Sequence, residues 1–174
     1  MKTILKAILV LSCSLFQSEV LGGEPAADER WKPFQFLIGD WVGTGSGQPG
    51  QGSGEFSLKF DLNQKILVRR NRNQLAPKVN ETVGATHEDL MIIYLPRGES
   101  TFRAEYFDNE GNVIHYAVAV SEHRIVFESA ESGSAPKFKL TYDLKPDGIL
   151  GIDFAIAQSG KPFQTYVKGT ARRK

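Results

Sequence analysis

Residues 39–47 read Gly-Asp-Trp-Val-Gly-Thr-Gly-Ser-Gly, so glycine takes every second position after Trp41. In an extended chain alternate residues share a face. One face of this segment therefore carries Trp41 and then three residues without a side chain. Glycine weakens a strand interior through entropy and lost packing. The compensating gain is close backbone approach, a sharp coil at a barrel corner, or room for a ligand. All three belong to closed antiparallel barrels. The segment leads into another strand rather than a helix, so the helix N-terminus of a phosphate-binding loop is missing.

The rest of the chain carries strand patterns and no long helical repeat. Glu55–Leu62 alternates with Phe56, Leu58, Phe60 and Leu62 on one face, and Lys137–Leu144 does so with Phe138, Leu140, Tyr142 and Leu144. Further strands are expected at Asp40–Ser46, Lys65–Asn73, Asp89–Leu95, Thr101–Phe107, Asn112–Val120, His123–Ser129, Ile149–Ile156 and Phe163–Arg172, about ten in all. Turn chemistry separates them at Pro96-Arg-Gly98, Asp108-Asn-Glu-Gly111, Lys145-Pro-Asp-Gly148 and Ser159-Gly-Lys-Pro162. Gly45–Gly54 reads as a flexible loop or a glycine-bent hairpin, and Gln74–Glu88 as a loop at the barrel mouth. Short links make an up-and-down meander, and strands with no helix to cover an edge close on themselves. The expected fold is all-β, a single up-and-down antiparallel barrel. Trp31–Ile38 is an apolar lead-in that could form one helical turn plugging an end.

Met1–Lys6 is basic and Ala7–Phe16 apolar, the form of a secretory signal peptide too short to span a bilayer. Cleavage is placed within Ser18–Ala27. Residues 1–22 are taken as signal, 23–33 as a flexible spacer and 34–174 as the barrel domain of a secreted or periplasmic protein. Cys13 is the only cysteine. Without it the domain has no disulfide, thiolate nucleophile or Cys-ligated metal. Val10-Leu-Ser-Cys13 loosely resembles a lipoprotein cleavage box, and membrane attachment is expected only if Cys13 is lipidated. The formal net charge of +1 argues against a nucleic-acid partner.

Gly39-x-Trp41-x-Gly43-x-Gly45-x-Gly47 resembles the opening motif of nitrobindin-like barrels, ten-stranded relatives of lipocalins and fatty-acid-binding proteins in the calycin group. Asp89–Tyr94 and Glu105–Tyr116 resemble secreted bacterial members of that shape with no assigned function. The resemblance implies that Trp41 stacks on an arginine of the last strand, Arg172 or Arg173. It also implies heme held by a histidine near the C-terminal end of the barrel. The three histidines are His87, His115 and His123. No position after Ile125 matches that ligand, so heme is not carried over and no cofactor is expected.

No catalytic constellation is present: there is no Gly-x-Ser-x-Gly elbow, His-Glu-x-x-His or phosphate loop, and the chain is not read as an enzyme. Across the Asp108–Gly111 turn, a two- or four-residue loop places His115 on one face with Phe102, Ala104, Tyr106, Val113 and Ala117. Such a face suits a lumen; the alternative is a core or outward histidine. Arg69, Arg70, Asn71, Arg103 and Glu105 are candidate polar anchors in an apolar cavity, or exposed strand residues. Asp153 faces solvent, or the lumen beside Arg70 or Arg103. The ligand-binding candidates are Trp41, Arg70, Phe102, Arg103, Tyr106 and His115, and the expected partner is a small apolar molecule. Two alternatives remain: a heme protein of nitrobindin type with a relocated histidine, and a filled barrel serving as an envelope interaction module.

Overall fold

The computed structural model describes residues 28–174 except 78, 81, 131 and 132, so the stretch read as a signal peptide and the start of the expected spacer lie outside the described residues. Ten strands follow a short 3₁₀ helix, Glu29–Phe34. They are β1 Gly39–Gly47, β2 Gly50–Asp61, β3 Ile66–Leu75, β4 Thr86–Tyr94 and β5 Phe102–Asp108. Then come β6 Val113–Val120, β7 Arg124–Ser129, β8 Lys137–Leu144, β9 Leu150–Ala157 and β10 Gln164–Arg173. Each strand pairs antiparallel with its sequence neighbours, and β1 pairs with β10 to close the barrel. Every expected strand is present.

The glycine segment resolves as the bent hairpin, not a flexible loop. Thr44 and Ser46 face outward while Gly43 and Gly45 share the inner face with Trp41. A Cβ on Gly43 would lie 2.6 Å from the Thr170 carbonyl oxygen, and one on Gly169 2.7 Å from that of Thr44. The neighbouring backbones are too close for side chains, so these glycines let the β1–β10 seam coil tightly at a barrel corner.

The 3₁₀ helix seals the end where β1 begins. Asp28 caps it by accepting from the Arg30 backbone N–H. Trp31 packs edge-on against Phe34 and Phe60, each at 5.5 Å between centroids, and lies 4.9 Å from Phe102. The folded unit therefore starts inside the stretch read as spacer, because the buried Trp31 ties it down. The Trp41 indole donates to the Leu37 carbonyl at 2.8 Å. The arginine on Trp41 is Arg173, its cross-strand partner, with Cζ 4.7 Å from the ring centroid. Its fork donates to the Ile38 carbonyl at 2.6 Å and to that of Phe36 at 3.0 Å. Gly39 has φ +125°, and a Cβ there would meet the Arg173 Nη1 at 2.7 Å, so glycine makes room for the fork.

Facing across β5 and β6 differs from expectation by one residue. The loop has three residues, Asn109–Gly111, between the paired Asp108 and Asn112. Gly111 takes φ +89°, and Asp108 Oδ1 accepts from the backbone N–H of Glu110 and Asn112. A type I turn closed by a left-handed residue is the usual three-residue hairpin. Glu105 therefore pairs with His115, and Ala104 with Tyr116. A one-residue shift moves every side chain to the other face. Phe102, Ala104 and Tyr106 share the inner face with Ile114, Tyr116 and Val118, while His115 turns outward.

The Arg173 clamp has a measurable consequence. Arg173→Ala loses two charge-assisted hydrogen bonds and the stacked cation, and is expected to cost about 2–4 kcal/mol in urea unfolding. Arg173→Lys recovers little of this because a point charge cannot bridge two carbonyls. Arg172→Ala, on the exposed outer face, stays within about 0.5 kcal/mol of the parent.

Candidate functional site: a polar layer above a filled half-barrel

The interior divides along its axis. Toward the plugged end Leu37, Leu58, Leu67, Ile93, Ile125, Phe127 and Leu150 are fully buried. A chain of ring contacts runs Tyr106–Tyr116–Phe127–Tyr142–Phe56–Trp41, and the Tyr142–Phe56 contact at 5.8 Å bridges β8 and β2 across the lumen. Toward the other end, inner-face apolar groups stay half-buried. Phe154 pairs with buried Leu140, and Ile152 with buried Tyr142, so both face inward. Phe138 stacks on Phe154 at 6.1 Å with rings 4° from parallel, yet neither ring is fully covered.

A polar layer separates the two halves. Arg69 and Asn71 alternate with Leu67 on the inner face of β3, and Asp89 alternates with Met91 and Ile93 on that of β4. Arg69 Nη1 pairs with Asp89 Oδ1, and their side chains are only 9% and 3% exposed. Asn71 Nδ2 donates to Asp89 Oδ2 at 2.7 Å. Burial works against the Arg69 charge, and Asp89 together with Tyr142, Tyr106 and Tyr116 more than offsets it. A buried ion pair holds only when its remaining hydrogen-bonding positions are also met. Asp89 meets that condition through Asn71; Arg69 keeps its Nε without a partner, and the Tyr142 hydroxyl beside it has none either.

His87 and Tyr106 extend the layer to the rim. His87 Nε2 lies 3.1 Å from the Tyr106 hydroxyl and 3.4 Å from Asp89 Oδ2; its Nδ1 lies 3.4 Å from Glu110. The hydrogen bond that His87 donates to Asp89 leads in holding its proton on more firmly than in a free imidazole; burial opposes it and Glu110 helps. Tyr106 also donates to Asp108 Oδ2 at 3.2 Å. Burial pushes the phenols of Tyr106, Tyr116 and Tyr142 up, so all three remain hydrogen-bond donors at neutral pH.

The sequence candidates scatter. Tyr106 faces the lumen. Trp41 and Phe102 are buried at the sealed end. Arg70 and Arg103 are exposed on the outer face, Arg103 paired with Glu99. His115 pairs with Glu105 on that face with its side chain 76% exposed. Of the candidate polar anchors, Arg69 and Asn71 turn inward and Glu105 outward. Asp153 lies on the outer strand face and accepts from the Thr165 hydroxyl at 3.0 Å. Asp89, His87, Tyr116 and Tyr142 were not among the candidates. β4 begins at Thr86, three residues before the expected start, which brings His87 onto the inner face beside Asn73. The available signal was alternation: Asp89 and His87 lie two and four residues before Met91, and Arg69 two after Leu67.

Heme held by an axial imidazole needs a nitrogen free toward the lumen. Both His87 nitrogens have neighbours that claim them, and His115 and His123 are exposed. The residues present do not fit that ligation. A groove of about 860 Å³ lies elsewhere, along β10, β1, β2 and the end of β3. Thr44, Ser46, Ser53, Gln74, Lys168 and Thr170 line it, and strand parity puts these on the outer face. It is separate from the polar layer.

Comparison with known proteins gives the fold. No family model matches the chain, and no curated protein matches it. Among solved structures it is similar to Rv2717c from M. tuberculosis, with a TM-score of 0.59 at 14% identity, covering 85% of this chain and 99% of that one. At that identity the likeness is one of architecture.

Two outcomes test the layer. Asp89→Leu, which strands the buried Arg69 charge, is expected to cost about 3–5 kcal/mol in urea unfolding, and Arg69→Met in the same chain restores most of it. His87 binds its proton more tightly folded than unfolded, so its stabilisation is full below its ordinary value of 6.5 and is lost as pH rises through the higher folded value. Thermal melts from about pH 5.5 to 8 should show that decline in the parent and not in His87→Gln.

Proposed function

We propose that this is a secreted, non-enzymatic binding protein that takes one small, largely apolar molecule into the open half of its barrel. The observation that carries the reading is the contrast between the halves. One is packed around a run of fully buried side chains, with Phe60 and Leu144 partly covered only at its very end, while Phe138, Phe154, Ile152 and Tyr106 on the inner wall of the other keep part of their surface uncovered. Leaving inward aromatics half-covered forfeits burial worth about 25 cal/mol per Å², and a ligand returns it. Tyr106 and the polar layer supply orientation. Export rests on the basic and apolar start of the sequence.

In this reading Trp41 and Phe102 act by sealing the far end, so the binding surface is rigid from below. Arg70, Arg103 and His115 lie on the outer wall and make no contact with a ligand in the lumen. A barrel serving only as an interaction module would have no reason to hold aromatic surface uncovered on its inner face.

Binding of the neutral dye N-phenyl-1-naphthylamine, followed by its fluorescence, tests this. The expected result is saturable one-to-one binding. Phe154→Ala should weaken it about tenfold, the equivalent of one lost ring contact, and His115→Ala should leave it unchanged. Absent binding, or binding indifferent to Phe154, contradicts the reading.

A further inference from the structure

His87 stands where three carboxylates share few donors. Its Nε2 lies 3.4 Å from Asp89 Oδ2 and 3.1 Å from the Tyr106 hydroxyl, and its Nδ1 lies 3.4 Å from Glu110 Oε1. The Tyr106 hydroxyl lies in turn 3.2 Å from Asp108 Oδ2. The groups facing the ring are therefore Asp89 on β4, Tyr106 and Asp108 on β5, and Glu110 in the β5–β6 turn. On β3, Arg69 is held by Asp89, and Asn73, the cross-strand partner of His87, carries no charge. The nearby Tyr116 phenol stays protonated. We infer that Glu110 is a proton-operated clasp on the barrel mouth, closed on His87 when the imidazole is charged and released when it is neutral. Nothing in the lumen need be bound for it to work.

The proton count sets the device. A charged imidazole offers two N–H groups and the phenol one O–H, so Asp89, Asp108 and Glu110 receive one donor each. A neutral ring leaves two donors for the same three carboxylates, and one bond must go. Burial decides which. The Asp89 side chain is 3% exposed, so a bare ring nitrogen turned toward it would set two acceptors together out of reach of water. Asp108 is kept ionised by its bonds from Asn112, Glu110 and Tyr106. The Glu110 side chain is 68% exposed, and water replaces its bond at little cost. The neutral ring therefore keeps its proton on Nε2, toward Asp89 and Tyr106. The bare Nδ1 then faces the Glu110 carboxylate, and the two acceptors part. His87 holds its proton more firmly than a free imidazole, so the clasp is closed below the ordinary value of 6.5 and opens as pH rises through the higher folded value.

Only the tip of the turn is free to respond. Asn109 fastens its base at any pH. Its backbone N–H donates to the Glu88 carbonyl at 3.0 Å, and its side chain accepts from the Glu88 N–H at 3.1 Å and donates to the Thr86 carbonyl at 3.2 Å. Opening uncovers His87 and the Asp89 carboxylate behind it, so the polar layer meets solvent at the rim on the alkaline side only.

NMR of the full chain with isotope-labelled histidine reads the ring nitrogens and the contact together. Below the His87 transition both nitrogens should be protonated, with a nuclear Overhauser contact between His87 Hε1 and the Glu110 Hγ protons. Above it the proton should sit on Nε2 and the contact should be gone. Glu110→Gln separates the clasp from titration alone. Its amide accepts from Nδ1–H and, turned over, donates to the bare Nδ1, so the contact should persist on both sides. The His87 midpoint should also fall by about half a pH unit. A neutral ring protonated at Nδ1, with Tyr106 giving its proton to His87 instead of Asp108, overturns the inference. So does a contact absent below the transition, kept above it in the parent, or lost above it in Glu110→Gln.

Discussion

The seam between the first and last strands is the constraint on which the other features depend. A ten-strand meander leaves two free edges unless β1 meets β10, and an exposed edge invites pairing with other chains. The seam closes only because Gly43 and Gly169 remove the Cβ atoms that would strike the opposing carbonyls. At its lower end Trp41 faces Arg173, whose fork ties the last strand to the carbonyls of Phe36 and Ile38. One arginine thus joins the C-terminal strand, the first strand and the segment leading from the plug. The plug is held in turn by Trp31 against Phe60 of β2, beside the seam, and Phe102 of β5, across the barrel from it.

Sealing one end fixes what the other end can do. The core is complete below the polar layer, so rigidity does not depend on what fills the space above it. The layer is electrically balanced by Arg69 and Asp89 and hydrogen-bonded by Asn71, which lets it sit inside a barrel at tolerable cost. On the proposed function, the half-covered aromatic wall above the layer receives a molecule that is apolar for most of its surface. In that reading shape and burial set recognition, and Tyr106 with the polar layer supplies orientation.

Much of the architecture was legible in the sequence because its signals are local. Strands alternate, turns carry Gly, Pro and Asp, and the glycine run with Trp41 marks a barrel's first strand. The arginine partner of Trp41 could be narrowed to two adjacent positions, and cross-strand register then selects Arg173. The site was less legible, since it depends on facing, and facing depends on loops. A three-residue loop where two or four were assumed turned His115 outward and Tyr116 inward. Three extra residues at the start of β4 brought His87 out of a supposed loop and onto the inner wall. Arg69 and Asn71 looked the same as Arg70 and Arg103 because charge says nothing of direction. Only their even spacing from Leu67, two and four residues, like that of Asp89 from Met91, distinguishes a polar side chain bound for the interior.

On the proposed function, one half of the barrel stays closed by its own side chains and the other receives a ligand. Isoleucine methyl groups sample both halves: Ile93 and Ile125 lie in the filled half, Ile114 and Ile152 on the inner wall of the open half, and Ile92 on the outer face. Methyl NMR of isotope-labelled protein titrated with N-phenyl-1-naphthylamine reads all five at once. The expected result is shifts concentrated at Ile114 and Ile152, with Ile92, Ile93 and Ile125 nearly still. Shifts concentrated at Ile93 and Ile125, or at Ile92, would contradict it.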